Sequence, residues 1–215
     1  MATLWKSQYY KNALLSANLR GVAFTFPTTL YAALFVCNFN AAAATPGYWA
    51  SGIVVAAGVY VSPTTANGHL YVCTTAGTTG TTQPTWPTGI GSTVVDGTVT
   101  WTEATEYLIG FNTTYPPVEV SGGAYARQSI AQGTTDWAAL TNSSDQLGMQ
   151  SSNAVVLTYP DPTANWGLVA ALALKDALTA GNAIYGVSLL TGYLTIVNGN
   201  PAPSIPIGDL VVEEI

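Results

Sequence analysis

The residues best suited to binding chemistry are aromatic rings in one stretch that is poor in charge. Residues 77–101, GTTGTTQPTWPTGIGSTVVDGTVTW, contain no Lys, Arg or His and include Trp86. Trp49 and Tyr71 lie just upstream of this stretch. Exposed aromatic rings can stack on a sugar face or pack against a protein partner. We therefore take Trp86, and after it Trp49 and Tyr71, as candidate carbohydrate-binding residues.

Local sequence predicts which rings are exposed. Trp86 is flanked by Pro84 and Pro87, which is typical of a loop, whereas Trp101 lies among alternating Thr residues, as in a strand. We expect Trp86 to be exposed and Trp101 to belong to the core. The alternative, that all of these rings are structural, stays open.

The residues for catalysis or metal binding do not form a recognisable set. His69 is the only histidine and lies beside an Asn67–Gly68 turn, and no nucleophile-elbow motif accompanies it. A glycosidase needs two opposed carboxylates, but an Asp-Gly turn already accounts for Asp96. Metal sites need several ligands close together, and the only adjacent acids are Glu213 and Glu214. We expect no enzymatic activity, no cofactor and no metal.

Arg127 is one of only five basic residues and lies in the strand-like run YARQSI. A guanidinium group is a planar donor that can pair with a carboxylate through two hydrogen bonds. Two hypotheses follow. Arg127 is either an assembly contact between subunits or part of a salt bridge within the fold.

Composition limits the possible partners. Charged residues make up 7% of the chain, against about 25% in a typical soluble domain. The net charge of −6 argues against nucleic acid as a ligand, and the longest apolar runs are too short to cross a membrane. The N-terminal residues lack a signal-peptide pattern. We expect a homo-oligomer or a subunit of a larger assembly that is made in the cytoplasm, because a surface so poor in charge tends to associate.

The remaining patterns predict a mainly β fold with one short N-terminal helix. Ser7 can cap a helix over residues 7–19, and Gly21 can end it. An apolar strand is predicted over 29–36, and later strands over 107–111, 125–130, 153–160, 165–174, 182–190 and 205–215. The run GLVAALALKDA also has helix propensity, but we favour a strand. Such strand spacing predicts a β-sandwich or an irregular barrel.

A change of composition divides the chain into two parts. Residues 48–105, here called the inserted block, hold short β-type runs with hairpin signals at Asn67–Gly68 and Asp96–Gly97. Residues 1–47 and 106–215, here called the host part, hold the longer strands. We predict a small all-β module inserted into a discontinuous host domain, since surface loops tolerate insertions.

Each part resembles a known group of proteins. The runs GYWASGIVVAAGVYV, NGHLYVCTTAGTTGTTQPTWP and GSTVVDGTVTWTE of the inserted block resemble modules of tailed-phage structural proteins that are similar to carbohydrate-binding modules. The runs LRGVAFTFPTTLYAALF, VEVSGGAYARQSI, NWGLVAALALKDALTAGNAIYG and SIPIGDLVV of the host part resemble small tailed-phage virion proteins of the tail-fibre-like or head-decoration-like kind.

These resemblances imply a role in the phage particle. We expect a virion structural protein on the particle surface, foremost a capsid decoration protein that binds the major capsid protein or other virion subunits. The alternative is a tail-fibre or tail-tip component that binds host surface polysaccharide. In both cases, glycans are possible ligands of the inserted block.

Overall fold

The computed structural model describes residues 2–40, 47–105, 114–143 and 146–214. The mainly β prediction is confirmed, and the sheets do not close into a barrel within these residues. The described elements are β1 (Ala2–Leu4), α1 (Gln8–Arg20), β2 (Thr29–Cys37), β3 (Val54–Val55), β4 (Tyr60–Val61), β5 (Tyr71–Thr75), β6 (Gly77–Thr78), β7 (Thr93–Asp96), β8 (Val99–Glu103), β9 (Gln128–Ala131), β10 (Thr141–Asn142), β11 (Met149–Ser152), β12 (Leu157–Thr158), β13 (Gly167–Lys175), β14 (Ala183–Ile196), β15 (Ser204–Ile205) and β16 (Leu210–Glu214).

Helix α1 begins and ends where its capping residues predict. The Ser7 hydroxyl oxygen accepts a 3.1 Å hydrogen bond from the Tyr10 backbone N–H, which satisfies a donor of the first turn. Gly21 ends the helix with φ 66°, a left-handed conformation that glycine adopts without strain. Tyr10 is the buried residue of the helix, and its ring packs edge-on against Phe26 and Tyr185.

The central sheet of the host part has the strand order β14-β13-β2-β9. Its strands are apolar on both faces because both faces are covered. Along β2, Ala32 and Leu34 point into one apolar cluster, and the alternate residues Ala33 and Phe35 point into another. The segment 167–175 is a strand and not a helix, since it pairs antiparallel with both β2 and β14.

A second sheet covers one face of the central sheet. Its order is β1-β16-β11-β10, with β1 and β16 parallel. Leu4, Leu210 and Val212 from this sheet share an apolar cluster with Leu34 and Leu172 of the central sheet. The host part is therefore built as two sheets packed face to face, as the sandwich alternative predicted.

The inserted block covers the other face of the central sheet. It contains the sheet β4-β5-β8-β7 and the pair β3-β6. Tyr60, Leu70 and Val72 of the block lie in one buried cluster with Phe35 and other side chains of the central sheet. The block also has its own core around Trp101. Whether it is a separate domain stays a prediction.

Some predicted strands differ from the observed ones. The 107–111 prediction lies outside the described residues. The predicted run 205–215 is split into β15 and β16, because Gly208 takes a φ of 82° that a continuous strand does not allow. The run 153–160 contains only the two-residue strand β12, which pairs with β15. Within the described residues, no helix is long and apolar enough to span a bilayer.

Candidate functional site

A buried carboxylate organises the aromatic residues of the inserted block. Asp96 is 3% exposed and ends β7 at the Asp96–Gly97 hairpin. Its Oδ2 accepts hydrogen bonds from the indole Nε1 of Trp49 at 2.7 Å and of Trp101 at 3.0 Å. Its Oδ1 accepts a 2.7 Å bond from the Gly80 backbone N–H. Asp96 therefore joins three segments of the block, in addition to its expected role in the turn.

Gly97 makes this hairpin possible. Its φ of 63° is left-handed, as the second residue of an Asn-Gly or Asp-Gly turn requires. A Cβ at this position would collide with the carbonyl oxygen of Thr78. The Asp-Gly signal in the sequence thus predicted the turn correctly.

Trp86 lies in a loop as predicted, but its ring is partly buried. The ring centroid is 4.3 Å from that of Tyr71 and 6.0 Å from that of Trp101. The buried Nε1 has no hydrogen-bond partner in the described part of the chain. Trp86 therefore packs on the core of the block and keeps only part of its surface in solvent.

Tyr71 is fully buried, which corrects the expectation that it presents a ring face to a ligand. Its side chain is 0% exposed. The phenol accepts a 2.8 Å hydrogen bond from Asn67 Nδ2 and donates a 3.0 Å bond to the Pro87 carbonyl oxygen. Burial raises the pKa of Tyr71 above its ordinary value. Its observed role is to support Trp86 and the Pro87 loop from below.

The two other rings follow the sequence hypothesis more closely. Trp49 is partly exposed, with its indole nitrogen held by Asp96. Trp101 is 0% exposed and packs on Phe39 at 5.9 Å, which confirms it as a core ring. Trp86 and Trp49 are thus the two candidate binding residues that retain exposed surface. Carbohydrate binding by them stays a prediction.

His69 has a buried partner that sequence reasoning did not assign. It lies beside the Asn67–Gly68 turn, and its Nδ1 is 3.0 Å from Oε1 of Glu103. Glu103 is 1% exposed, and the Thr105 backbone N–H also donates to Oε1. Glu103 Oε2 has no hydrogen-bond partner among the described residues. The alternation of β8 turns this carboxylate inward, a direction that depends on strand register.

Arg127 donates to several partners within its own chain. Its Nε and Nη2 donate to the two carboxylate oxygens of Glu119 at 2.6 and 2.7 Å, a bidentate pair. Its Nη1 donates to the carbonyl oxygens of Ala177 and Ala180 in the β13–β14 turn. Only 8% of Arg127 is exposed. These bonds are those of the intramolecular hypothesis, and an additional role of Arg127 in assembly stays a prediction.

The charges around this pair affect one another. The bond to Glu119 raises the pKa of Arg127 above its ordinary value. Lys175 Nζ lies 3.9 Å from Glu119 Oε2, and burial, followed by the charge of Arg127, lowers the pKa of Lys175. Glu119 thus balances two nearby cations. Sequence reasoning missed Glu119 because its run, VEV, gives no sign of its partner.

Other reactive groups in the described residues are either buried or isolated. Cys37 and Cys73 are free and buried, in agreement with their apolar sequence context. Among the residues that the structure describes, no group of three or more His, Cys, Asp or Glu residues could hold a metal ion.

The comparisons assign the protein to a class and then to a family. From residue 94 to residue 213, the chain matches a family model of fibre-type phage proteins, which defines it as a structural component of a phage virion. It belongs to the family described as Podophage GP4 fiber I protein gp80, whose model matches more than half of the 215 residues. The match begins in β7, and it includes Asp96, Trp101, Glu119 and Arg127. A search of curated proteins found no match.

Proposed function

We propose that the protein is a non-enzymatic structural subunit of a podophage tail fibre. The observation that supports this proposal is the family match over residues 94–213. The matched residues contain most of both host sheets and the β7–β8 hairpin of the inserted block. The resemblance therefore includes the framework of the molecule and extends beyond a single motif.

The structure is consistent with a load-bearing subunit. The central sheet is packed on both faces, on one side against the second sheet and on the other against the inserted block. Buried polar side chains such as Asp96 and Arg127 are bonded to two or more segments each. Such a molecule resists local opening, because separating any one element breaks both apolar contacts and hydrogen bonds.

We further propose that the inserted block contacts host surface glycans. The partly exposed rings of Trp86 and Trp49 support this proposal, since aromatic faces stack on pyranose rings. Several subunits on one particle would turn weak contacts into useful avidity. Placement on the capsid as a decoration protein stays an alternative prediction, and the printed family description favours the fibre.

Immunogold electron microscopy of purified virions tests the location. Antibodies raised against the purified protein should label the tail and leave the head shell unlabelled. Quantitative mass spectrometry of the same particles should give far fewer copies than the major capsid protein. Gold spread over the head, with a copy number close to that of the capsid protein, would establish decoration instead. Absence of the protein from purified virions would refute both placements.

A further inference from the structure

An apolar groove lies on the host part, at the edge between its two sheets. Its volume is about 730 Å³, within the range of roughly 300–1,000 Å³ that is typical of ligand pockets. Its apolar lining consists mainly of Phe26, Leu30, Trp137, Leu140, Met149 and Val212. Leu140 is 69% exposed and Met149 is 42% exposed. Apolar side chains therefore remain in solvent at a concave surface.

Hydrogen bonds hold the walls of the groove in place. The Trp137 indole donates a 3.0 Å bond to the Ala131 carbonyl oxygen. The Tyr185 hydroxyl donates a 3.1 Å bond to Glu214 Oε1, and Lys6 Nζ lies 3.2 Å from Glu214 Oε2. Glu214 is the charged residue of the lining. The groove is thus preformed, apolar, and marked by one carboxylate.

Helix α1 has an exposed apolar stripe with no cover. At about 100° per residue, Leu15 and Leu19 lie roughly 140° and 180° around the helix from the buried Tyr10. Leu15 is 58% exposed and Leu19 is 79% exposed. Val22, just after the helix, is 51% exposed. We call Leu15, Leu19 and Val22 the helix ridge. Because Tyr10 anchors the opposite side, the ridge points away from its own chain.

The helix ridge and the groove differ in charge. Helix α1 contains the exposed cations Lys11 and Arg20 and no acidic residue. Neither cation forms a salt bridge within the described part of the chain. All eleven acidic residues lie at or after Asp96 in the sequence. A basic ridge and a groove with a carboxylate are electrostatically complementary.

We propose that the helix ridge of one copy docks into the groove of a second copy. Apolar residues at spacings of four and three along a helix are the anchors of helix-in-groove recognition. The two surfaces are different patches, so the contact is of the heterologous kind that builds rings or filaments. The proposal concerns contacts between copies of this chain and holds whether the protein lies on the tail or the head.

Analytical ultracentrifugation of the purified full chain tests this contact. The wild type should sediment as an oligomer, and Leu19→Glu on the ridge and Leu140→Glu in the groove should each shift it to the 22.3 kDa monomer. Both positions are exposed, so the melting temperatures of the monomers should match each other. Val54→Glu, at a position 81% exposed in the inserted block, is the control and should stay oligomeric. If Leu140→Glu melts early, Leu140→Ser replaces it.

Mixing the two variants distinguishes this contact from general stickiness. Each variant keeps the surface that the other has lost. An equimolar mixture should therefore form a dimer with one intact ridge–groove contact, although each variant alone is a monomer. A monomeric wild type, variants that keep the wild-type mass, or a mixture that stays monomeric would each overturn the proposal.

Discussion

The indole Nε1 of Trp49 donates a 2.7 Å hydrogen bond to Oδ2 of Asp96, which joins the start of the inserted block to its last hairpin. The same oxygen accepts from the core residue Trp101. A partly exposed ring and a buried ring are therefore positioned by one carboxylate. The orientation of the candidate glycan surface depends on this buried group.

Replacing Asp96 should destabilise the protein. Asp96→Ala leaves the Trp49 and Trp101 indoles and the Gly80 N–H without their acceptor, at a cost of about 3 kcal/mol of unfolding free energy. Asp96→Asn keeps one acceptor oxygen and should lose less. Urea denaturation followed by tryptophan fluorescence measures both. If Asp96→Ala unfolds at the wild-type urea concentration, the carboxylate does not organise the block.

Replacing Arg127 should lower the stability of the isolated subunit. Arg127→Ala leaves Glu119 without its bidentate partner and frees the carbonyl groups of the β13–β14 turn, a loss of roughly 3–5 kcal/mol for a broken buried pair. Arg127→Lys keeps the charge but cannot form the fork, so it should fall in between. Thermal melts of the monomer decide the matter. Normal melting together with impaired assembly would instead assign Arg127 to a subunit contact.

The two thiols should be unreactive in the native protein. Burial raises the pKa of Cys37 far above its ordinary value, and burial also raises the pKa of Cys73. The thiolate, which is the reactive form, is therefore scarce at pH 8. DTNB should titrate no thiol in native buffer and both thiols in denaturant. Rapid labelling of the native protein would contradict the buried positions.

Stability should fall at alkaline pH. Burial, followed by the charge of Glu214, raises the pKa of Tyr10 from 10.0 to about 12. The folded state favours the neutral phenol, so this contribution is complete below pH 10 and is lost as the pH rises from 10 to 12. Melting temperatures over this window, with tyrosinate absorbance recorded in parallel, measure the effect. Tyr10→Phe keeps the ring packing and should show a weaker alkaline decline.

Glycan binding, if present, should depend on Trp86 more than on any buried ring. Trp86→Ala should remove a stacking contact of about 1–3 kcal/mol, by analogy with the stacking of bases on aromatic rings. Trp86→Phe retains a ring face and should keep part of the affinity. Glycan arrays with the full chain provide the measurement.

The matching core variant separates binding from folding. Trp101→Ala creates a cavity at a fully buried site and should cost about 3–5 kcal/mol of stability. Equal loss of binding in Trp86→Ala and Trp101→Ala, with equal loss of stability, would mean that Trp86 is only structural. Arrays on which the wild type binds no glycan would refute the glycan role itself.

Local signals in the sequence predicted local structure well. Ser7 and Gly21 marked the ends of α1 to within one residue, and Asp96–Gly97 marked a hairpin. Caps and turns depend on interactions between residues close in the chain, so neighbouring letters suffice to identify them. The doubly apolar pattern of 29–36 likewise indicated a strand covered on both faces.

What the sequence by itself determined is the mainly β class, the helix and its caps, the hairpin, the free buried cysteines and the resemblance to virion proteins. Only the tertiary structure decided that Tyr71 lies beneath Trp86, that Arg127 pairs with Glu119, and that the inserted block covers a face of the central sheet. These contacts join segments far apart in the chain. Strand order and register bring them together, and a one-residue change of register would turn each side chain to the other face.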